Sequence, residues 1–243
     1  EVGKWMLDQR VSHEQIEIKT PNNLVSFVDK ESERQLVNAL KDIFPEAGFI
    51  AEEGTGERAT EWNWVIDPLD GTTNYLHGVP IWCISVALCH HQDAVLGVIY
   101  DPNRDELCSA VKGHGAFLNG ERMTVSGQVN LRDSLLVTGF PYDDFGREEA
   151  YIGLFRHLMK ETRGIRRLGS AALDLAWVAC GRFEAFYEYG LNPWDVAAGC
   201  ILIQEAGGAV TGFYDGHPIF EEDILASNGE IHQDLRGKIQ QFF

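Results

Sequence analysis

The groups best suited to chemistry are carboxylates at the ends of apolar runs. Asp67 and Asp70 lie in Trp64-Val65-Ile66-Asp67-Pro68-Leu69-Asp70-Gly71-Thr72-Thr73-Asn74. An apolar stretch carries the chain into Asp67, Pro68 blocks further regular strand pairing, and Gly71 permits a sharp turn. Both carboxylates can therefore converge on one point. Thr72 or Thr73 is placed to cap a helix start just beyond, and the free N–H groups of such a start bind phosphate. An ordinary turn would also account for Asp-Pro and Asp-Gly. Further acids join the set: Glu52 in Glu52-Glu53-Gly54, Asp195 after Trp194, and Asp29 at the head of an amphipathic run. Asp29 and Asp195 equally suit the positive end of a helix dipole, and strand alternation would turn one of Glu52 and Glu53 inward and the other away. Oxygen ligands alone suit a hard cation, Mg²⁺ ahead of Mn²⁺ or Ca²⁺. Zinc would recruit His or Cys, and only His77 is near in sequence; we read it as a hydrogen-bonded structural histidine. The chemistry on offer is a hard cation held beside a phosphate.

Alternating helical and strand-like stretches must position these groups. Apolar spacing predicts a helix over 29–44, ended by Pro45, and short strands over 49–51 and 64–67. Paired strands are expected over 81–89 and 95–100, continued over 106–111 and 115–118. In the second half the pattern predicts strands over 135–138, 183–188 and 224–227 and an extended stretch over 165–168. Helices are expected over 147–161, 170–180, 194–206 and 231–242, with Ser170 capping the second of these and Gly181 stopping it. This mixture points to a layered α/β or α+β domain. Residues 1–11 read like a helix already under way, and the sequence has no initiator Met, so the N-terminal helix is expected to be incomplete.

Composition narrows the function classes. A chain of 243 residues, 44% hydrophobic and 23% charged, can bury a substantial core and is not disordered. The longest apolar stretch, 79–89, is too short to span a bilayer, and no secretory signal is visible. With 37 acidic and 20 basic residues the net charge is −17. That argues against a nucleic-acid backbone or an anionic membrane as the main partner. A small anionic substrate stays admissible, because a bound cation reverses the local field. Five cysteines without a CxxC pair read as buried, reduced core thiols, which fits a cytoplasmic setting.

On Phe49-Ile50-Ala51-Glu52-Glu53, on W-V-I-D-P-L-D-G-T-T-N-Y over 64–75, on Trp194-Asp195-Val196-Ala197-Ala198-Gly199 and on Glu205-Ala206-Gly207-Gly208, the chain resembles the inositol monophosphatase family of Mg²⁺-dependent, lithium-sensitive phosphatases. Order and spacing match over nearly the whole chain. The resemblance implies an αβαβα sandwich of the inositol monophosphatase and sugar phosphatase type. It implies one catalytic domain over 1–243, with an α+β half over 1–130 and an α/β half over 131–243, assembled as a homodimer. Glu52 and Asp67, with the carbonyl of Leu69, would hold one Mg²⁺; Asp67, Asp70 and Asp195 would hold a second; a weaker third would sit near Glu52. Asp29 and Thr72, with Glu52, would orient and deprotonate an attacking water, and the N–H groups of Gly71 and Thr72 would cradle the phosphate. Gly169, Ser170, Ala171, Glu188 and Asp195 would line the pocket for sugar or inositol hydroxyls. Arg166 and Arg167 suit either phosphate, a partner surface or plain surface charge. The implied reaction is direct hydrolysis of a phosphate monoester, inositol monophosphate foremost. Alternatives are a fructose-1,6-bisphosphatase or another sugar, histidinol or nucleotide phosphatase of this fold. From another class, a regulatory binding protein of this fold is a further alternative.

Overall fold

Period-two alternation decides which layer each strand serves. The computed structural model describes residues 1–11, 16–20, 23–141, 145–214, 216–221 and 223–243. In chain order its elements are α1 (Val2–Asp8), β1 (Ile16–Thr20), β2 (Asn23–Ser26), α2 (Phe27–Ile43), β3 (Gly48–Ala51), β4 (Trp62–Asp70) and α3 (Thr72–Leu76). Then come β5 (Cys83–His90), β6 (Asp93–Asp101), β7 (Glu106–Val111), β8 (Gly115–Leu118), β9 (Glu121–Met123), β10 (Leu135–Thr138) and α4 (Glu148–Glu161). The chain closes with β11 (Gly164–Arg166), α5 (Ala171–Ala179), β12 (Ala185–Tyr189), α6 (Pro193–Glu205), β13 (Ala209–Thr211), β14 (Asp223–Ser227) and α7 (His232–Ile239). Seven strands form one sheet in the order β3-β4-β5-β6-β7-β8-β9, and five form another in the order β11-β10-β12-β14-β13. β1 and β2 pair separately.

Along β4, Trp64 and Ile66 pack outward against Val28, Val37 and Leu40 of α2, whereas Val65 between them faces α5 and α6. Along β12, Phe186 faces those same helices, whereas Tyr187 and Tyr189 pack on Leu154 and Leu158 of α4 and Leu235 of α7. The layers therefore run helix, sheet, helix, sheet, helix: the αβαβα sandwich. Its middle layer must be apolar all round, because sheets cover it on both sides. Residues 172–179 of α5 and 196–203 of α6 are indeed all buried. No helix among the described residues is long and apolar enough to cross a membrane. All five cysteines are free thiols, buried except for half-buried Cys180.

The long elements match the sequence expectation closely; the differences lie in short or irregular pieces. β1, β2, β9 and β13 are short and only weakly patterned. More consequential is β4, which does not end at Pro68. It pairs Asp67 with Ser85, slips register, and pairs again at Asp70 with Cys83. Two residues on β4, Pro68 and Leu69, thus oppose one on β5, Ile84: a bulge, in which the missing N–H of Pro68 costs the ladder nothing.

Candidate active site

The bulge of β4 aims two carboxylates into one space. Asp67 shares the strand parity of Val65 and so points toward the middle layer. One of its oxygens, Oδ1, accepts the Leu69 N–H at 2.9 Å, closing a tight turn. Asp70 Oδ2 accepts the Ser170 hydroxyl at 2.6 Å and the Ala172 N–H at 2.7 Å. Ser170 thus serves Asp70 with its hydroxyl and makes no side-chain cap on α5, contrary to the sequence expectation. Asp195 is the third residue of α6, and its Oδ2 accepts the Asn192 N–H at 2.7 Å, half of a capping box. One oxygen each of Asp67, Asp70 and Asp195 lies within 4.8 Å of the others, so the three could hold a metal ion. Half-buried Glu52 follows β3, and its N–H donates to the Ile66 carbonyl at 3.2 Å, which sets it beside Asp67.

Gly71 turns the chain out of the bulge at φ 95°, and a Cβ there would crowd the carbonyls of Ile81 and Gly169. Gly71, not a threonine side chain, is the N-cap of α3. Thr72 is the first helical residue, and its Oγ1 lies 2.9 Å from Asp29 Oδ1 and 3.0 Å from the Leu69 carbonyl. With one proton, that hydroxyl serves one acceptor at a time. Asp29 repeats the device of Asp195. It is the third residue of α2, and its Oδ2 accepts the N–H and hydroxyl of Ser26 at 2.8 and 2.7 Å, leaving Oδ1 for Thr72. Asn74 ties the turn to the second half, its Nδ2 donating to the carbonyls of Ile81 and Leu168 at 2.8 Å each. His77 lies exposed at the end of α3, and its backbone N–H donates to the Thr73 carbonyl at 3.1 Å. Among the described residues its ring has no hydrogen bond, contrary to the expectation of a hydrogen-bonded structural histidine.

These groups open on a cavity of about 480 Å³, whose walls include Glu52, Gly71, Thr72, Gly169 and Ala171. Glu188, on the Phe186 side of β12, forms the far wall and is 4% exposed. Its carboxylate packs so closely on Gly139 that a Cβ there would overlap it. Arg167 stands at the cavity rim with its guanidinium 5.3 Å from the Phe140 ring centre, whereas Arg166 is exposed elsewhere.

Two buried acids that border the site, Asp174 and Glu33, carry no role in the sequence reading. Asp174 lines the cavity from α5, and its buried Oδ1 has no hydrogen-bond partner among the described residues. Within an otherwise apolar helix, the lone acid in A-A-L-D-L-A-W was the available signal. Glu33, fully buried, accepts the N–H groups of Glu53 and Thr55 at 2.7 and 2.8 Å and so fixes the loop that carries Glu52. It sits one helical turn beyond Asp29, on the same face of α2.

The electrostatics follow from crowding. Burial, then the charges of Glu52, Asp70 and Asp195, push Asp67 well above the ordinary carboxylate range. Burial and then Asp70 raise Asp195 likewise. Burial also raises Asp70, against the opposing bonds from Ser170 and Ala172. Asp29 is raised by burial against its bonds to Ser26 and Thr72. Burial and then Asp195 hold Glu188 high, and burial and then Glu188 do the same to Asp174, in both cases against Arg167. An all-oxygen donor set with this proton affinity fits a hard divalent cation, which would replace the protons.

With this geometry described, the chain can be set beside known proteins. The sequence profile of the inositol monophosphatase family matches residues 2–242. A Pseudomonas aeruginosa protein named Nus factor SuhB is 45% identical over 232 residues, 91% of this chain and 84% of its own length. An inositol-1-monophosphatase of Rhizobium meliloti is 43% identical over 234 residues, 95% of this chain and 88% of its own. The crystal structure of extragenic suppressor protein suhB from Bartonella henselae superposes with a TM-score of 0.93 at 38% identity, covering 100% of this chain and 95% of that one.

Two outcomes are expected. Raised folded-state values mean that the folded, ion-free protein binds more protons than the unfolded chain. Its stability therefore falls as pH rises from the ordinary carboxylate range through those values. A divalent cation opposes that loss, so the gain in melting temperature on adding Mg²⁺ should grow from acidic to mildly alkaline buffer; an equal gain at both would contradict it. Glu33→Ala strands two N–H groups and should cost about 1–3 kcal/mol, read as a lower denaturant midpoint. A shift toward higher Mg²⁺ demand should accompany it.

Proposed function

The chain belongs to the inositol monophosphatase family, and on that premise we propose that it is a Mg²⁺-dependent phosphomonoesterase. Its substrate in this proposal is inositol monophosphate or a similar polyol phosphate. The observation that carries it is the convergence of Asp67, Asp70 and Asp195 on a cavity walled by Gly71 and Thr72. Glu52, Asp67 and the Leu69 carbonyl would hold one ion and Asp67, Asp70 and Asp195 a second, with a weaker third near Glu52. When bound, such ions stabilise charge on the phosphoryl and leaving oxygens and acidify a water.

The chain's own residues do the rest. The first N–H groups of a helix have no intrahelical partner, so those of Gly71 and Thr72 would meet the phosphate oxygens. Thr72 Oγ1 orients the attacking water and Asp29 Oδ1 receives its proton, a role suited to a carboxylate of raised proton affinity. Two protein nucleophiles beside the carboxylates, Cys83 and Ser170, are poorly placed. Burial and then Asp70 push the Cys83 thiol well up, and Ser170 is buried with its proton directed at Asp70. The reaction in this proposal is direct hydrolysis without a phosphoenzyme. Glu188 and Asp174 would accept hydrogen bonds from leaving-group hydroxyls. Both carboxyls line the cavity wall and so offer hydrogen bonds to a hydroxylated leaving group.

The relative named Nus factor SuhB supports a second reading, in which this chain also joins transcription machinery. Mg²⁺-dependent phosphate release separates an enzyme from a pure binder.

Asp70→Asn keeps the shape of the side chain and should nearly abolish phosphate release while the protein stays folded; wild-type turnover in a folded variant would sink the assignment. Asp174→Asn should raise KM for inositol monophosphate about fivefold, the scale of one neutral hydrogen bond of about 1 kcal/mol. A phosphate ester whose leaving group has no hydroxyls should be hydrolysed as by wild type. Equal losses on both substrates would remove Asp174 from substrate recognition.

A further inference from the structure

The opposite end of β4 gathers a different donor set. Glu61, just ahead of the strand, and His90 and His91, at the turn between β5 and β6, present one carboxylate oxygen and two imidazole nitrogens within 4.8 Å of one another. The ladder puts them there: Trp62 pairs with His90, and the His91 N–H donates to the Glu61 carbonyl at 2.6 Å. Trp62 stacks on the His90 ring, centroids 4.3 Å apart, and so restrains it. Successive side chains of a strand point to opposite faces, yet the two histidine rings lie 4.5 Å apart. His91 takes the left-handed backbone conformation at φ 55°, uncommon for a non-glycine residue, and that local reversal brings the rings to one side.

The geometry points to a second cation site at Glu61, His90 and His91, for a borderline transition-metal dication such as Zn²⁺ rather than for Mg²⁺. Imidazole nitrogen suits Zn²⁺, Ni²⁺ or Cu²⁺, whereas Mg²⁺ takes oxygen. His90 Nε2 and Glu61 Oε1 are 3.2 Å apart. Two ligands on a tetrahedral zinc with bonds of about 2.0–2.1 Å lie roughly 3.4 Å from each other. Rotation of the exposed His91 side chain is the adjustment that remains. Three protein ligands leave one coordination position for water, and the side chains of Glu61 and His90 are 60% and 40% exposed, so an ion enters directly from solvent. Between Trp62 and Asp67 the strand advances roughly 16 Å, so this ion and the carboxylate cluster bind independently.

The test is Zn²⁺ binding to the full chain in a large excess of Mg²⁺. Wild type should bind one Zn²⁺ that Mg²⁺ does not displace, and Co²⁺ in its place should give the visible absorption of a tetrahedral site. Outer partners of a metal site are worth ~10–100-fold in affinity, so His91→Ala and, separately, Glu61→Gln should weaken binding at least about tenfold. Both should melt as wild type does without Zn²⁺. Undiminished affinity in both folded variants overturns the site. Displacement of Zn²⁺ by Mg²⁺ does so too, because it puts the ion among Asp67, Asp70 and Asp195.

Discussion

Repulsion between Asp67, Asp70 and Asp195 is the constraint around which the rest is arranged. Three like charges within 4.8 Å repel by roughly 3 kcal/mol per pair at an effective dielectric near 20, against a typical total stability of about 5–15 kcal/mol. Among the described residues no lysine or arginine forms an ion pair with them. Each carboxylate instead has one oxygen engaged by a backbone N–H: Leu69 for Asp67, Ala172 for Asp70, Asn192 for Asp195. Those donors orient the side chains without cancelling their charge. A cluster so held has high affinity for protons or for a hard cation.

The layered fold supplies that rigidity. Asp29 and Asp195 stand at the third position of α2 and α6, where a capping box consumes one carboxylate oxygen and directs the other. Glu33, farther along α2, holds the Glu52 loop, so a single helix face positions two corners of the site. Asn74 joins the β4 turn to the segment entering α5, which keeps the carboxylates of the first half in register with the cavity wall of the second. α5 and α6 are buried between two sheets and have little freedom to shift.

Strand β4 carries two cation chemistries at its ends. Where it runs into the bulge the donors are all oxygen; where it begins, imidazole and carboxylate meet across the hairpin. In the cavity, Asp67, Asp70 and Asp195 converge at one point of the wall, and Glu188, Asp174 and Arg167 line it as well.

Much was legible in the chain itself. Helix and strand periods marked nearly every long element, because amphipathic spacing is a local property. The run from Trp64 to Asn74 announced both aspartates and the glycine turn, and its carboxylates announced an acidic cluster able to hold a metal ion. Local pattern could not show that Pro68 lies in a bulge, since β4 resumes pairing only because β5 is there to receive it. It could not separate Ser170 as a cap from Ser170 as a donor to Asp70, a hundred residues away in sequence. Asp174, alone in an apolar helix, shares a cavity wall with Glu188 only once α5 and β12 pack together. His90 and His91 converge because one residue adopts a left-handed backbone beside Glu61. Residue types and spacing thus determined the chemistry available to this protein. Tertiary structure decided which oxygens and nitrogens meet, because repulsion, burial and coordination depend on distances that only the folded chain defines.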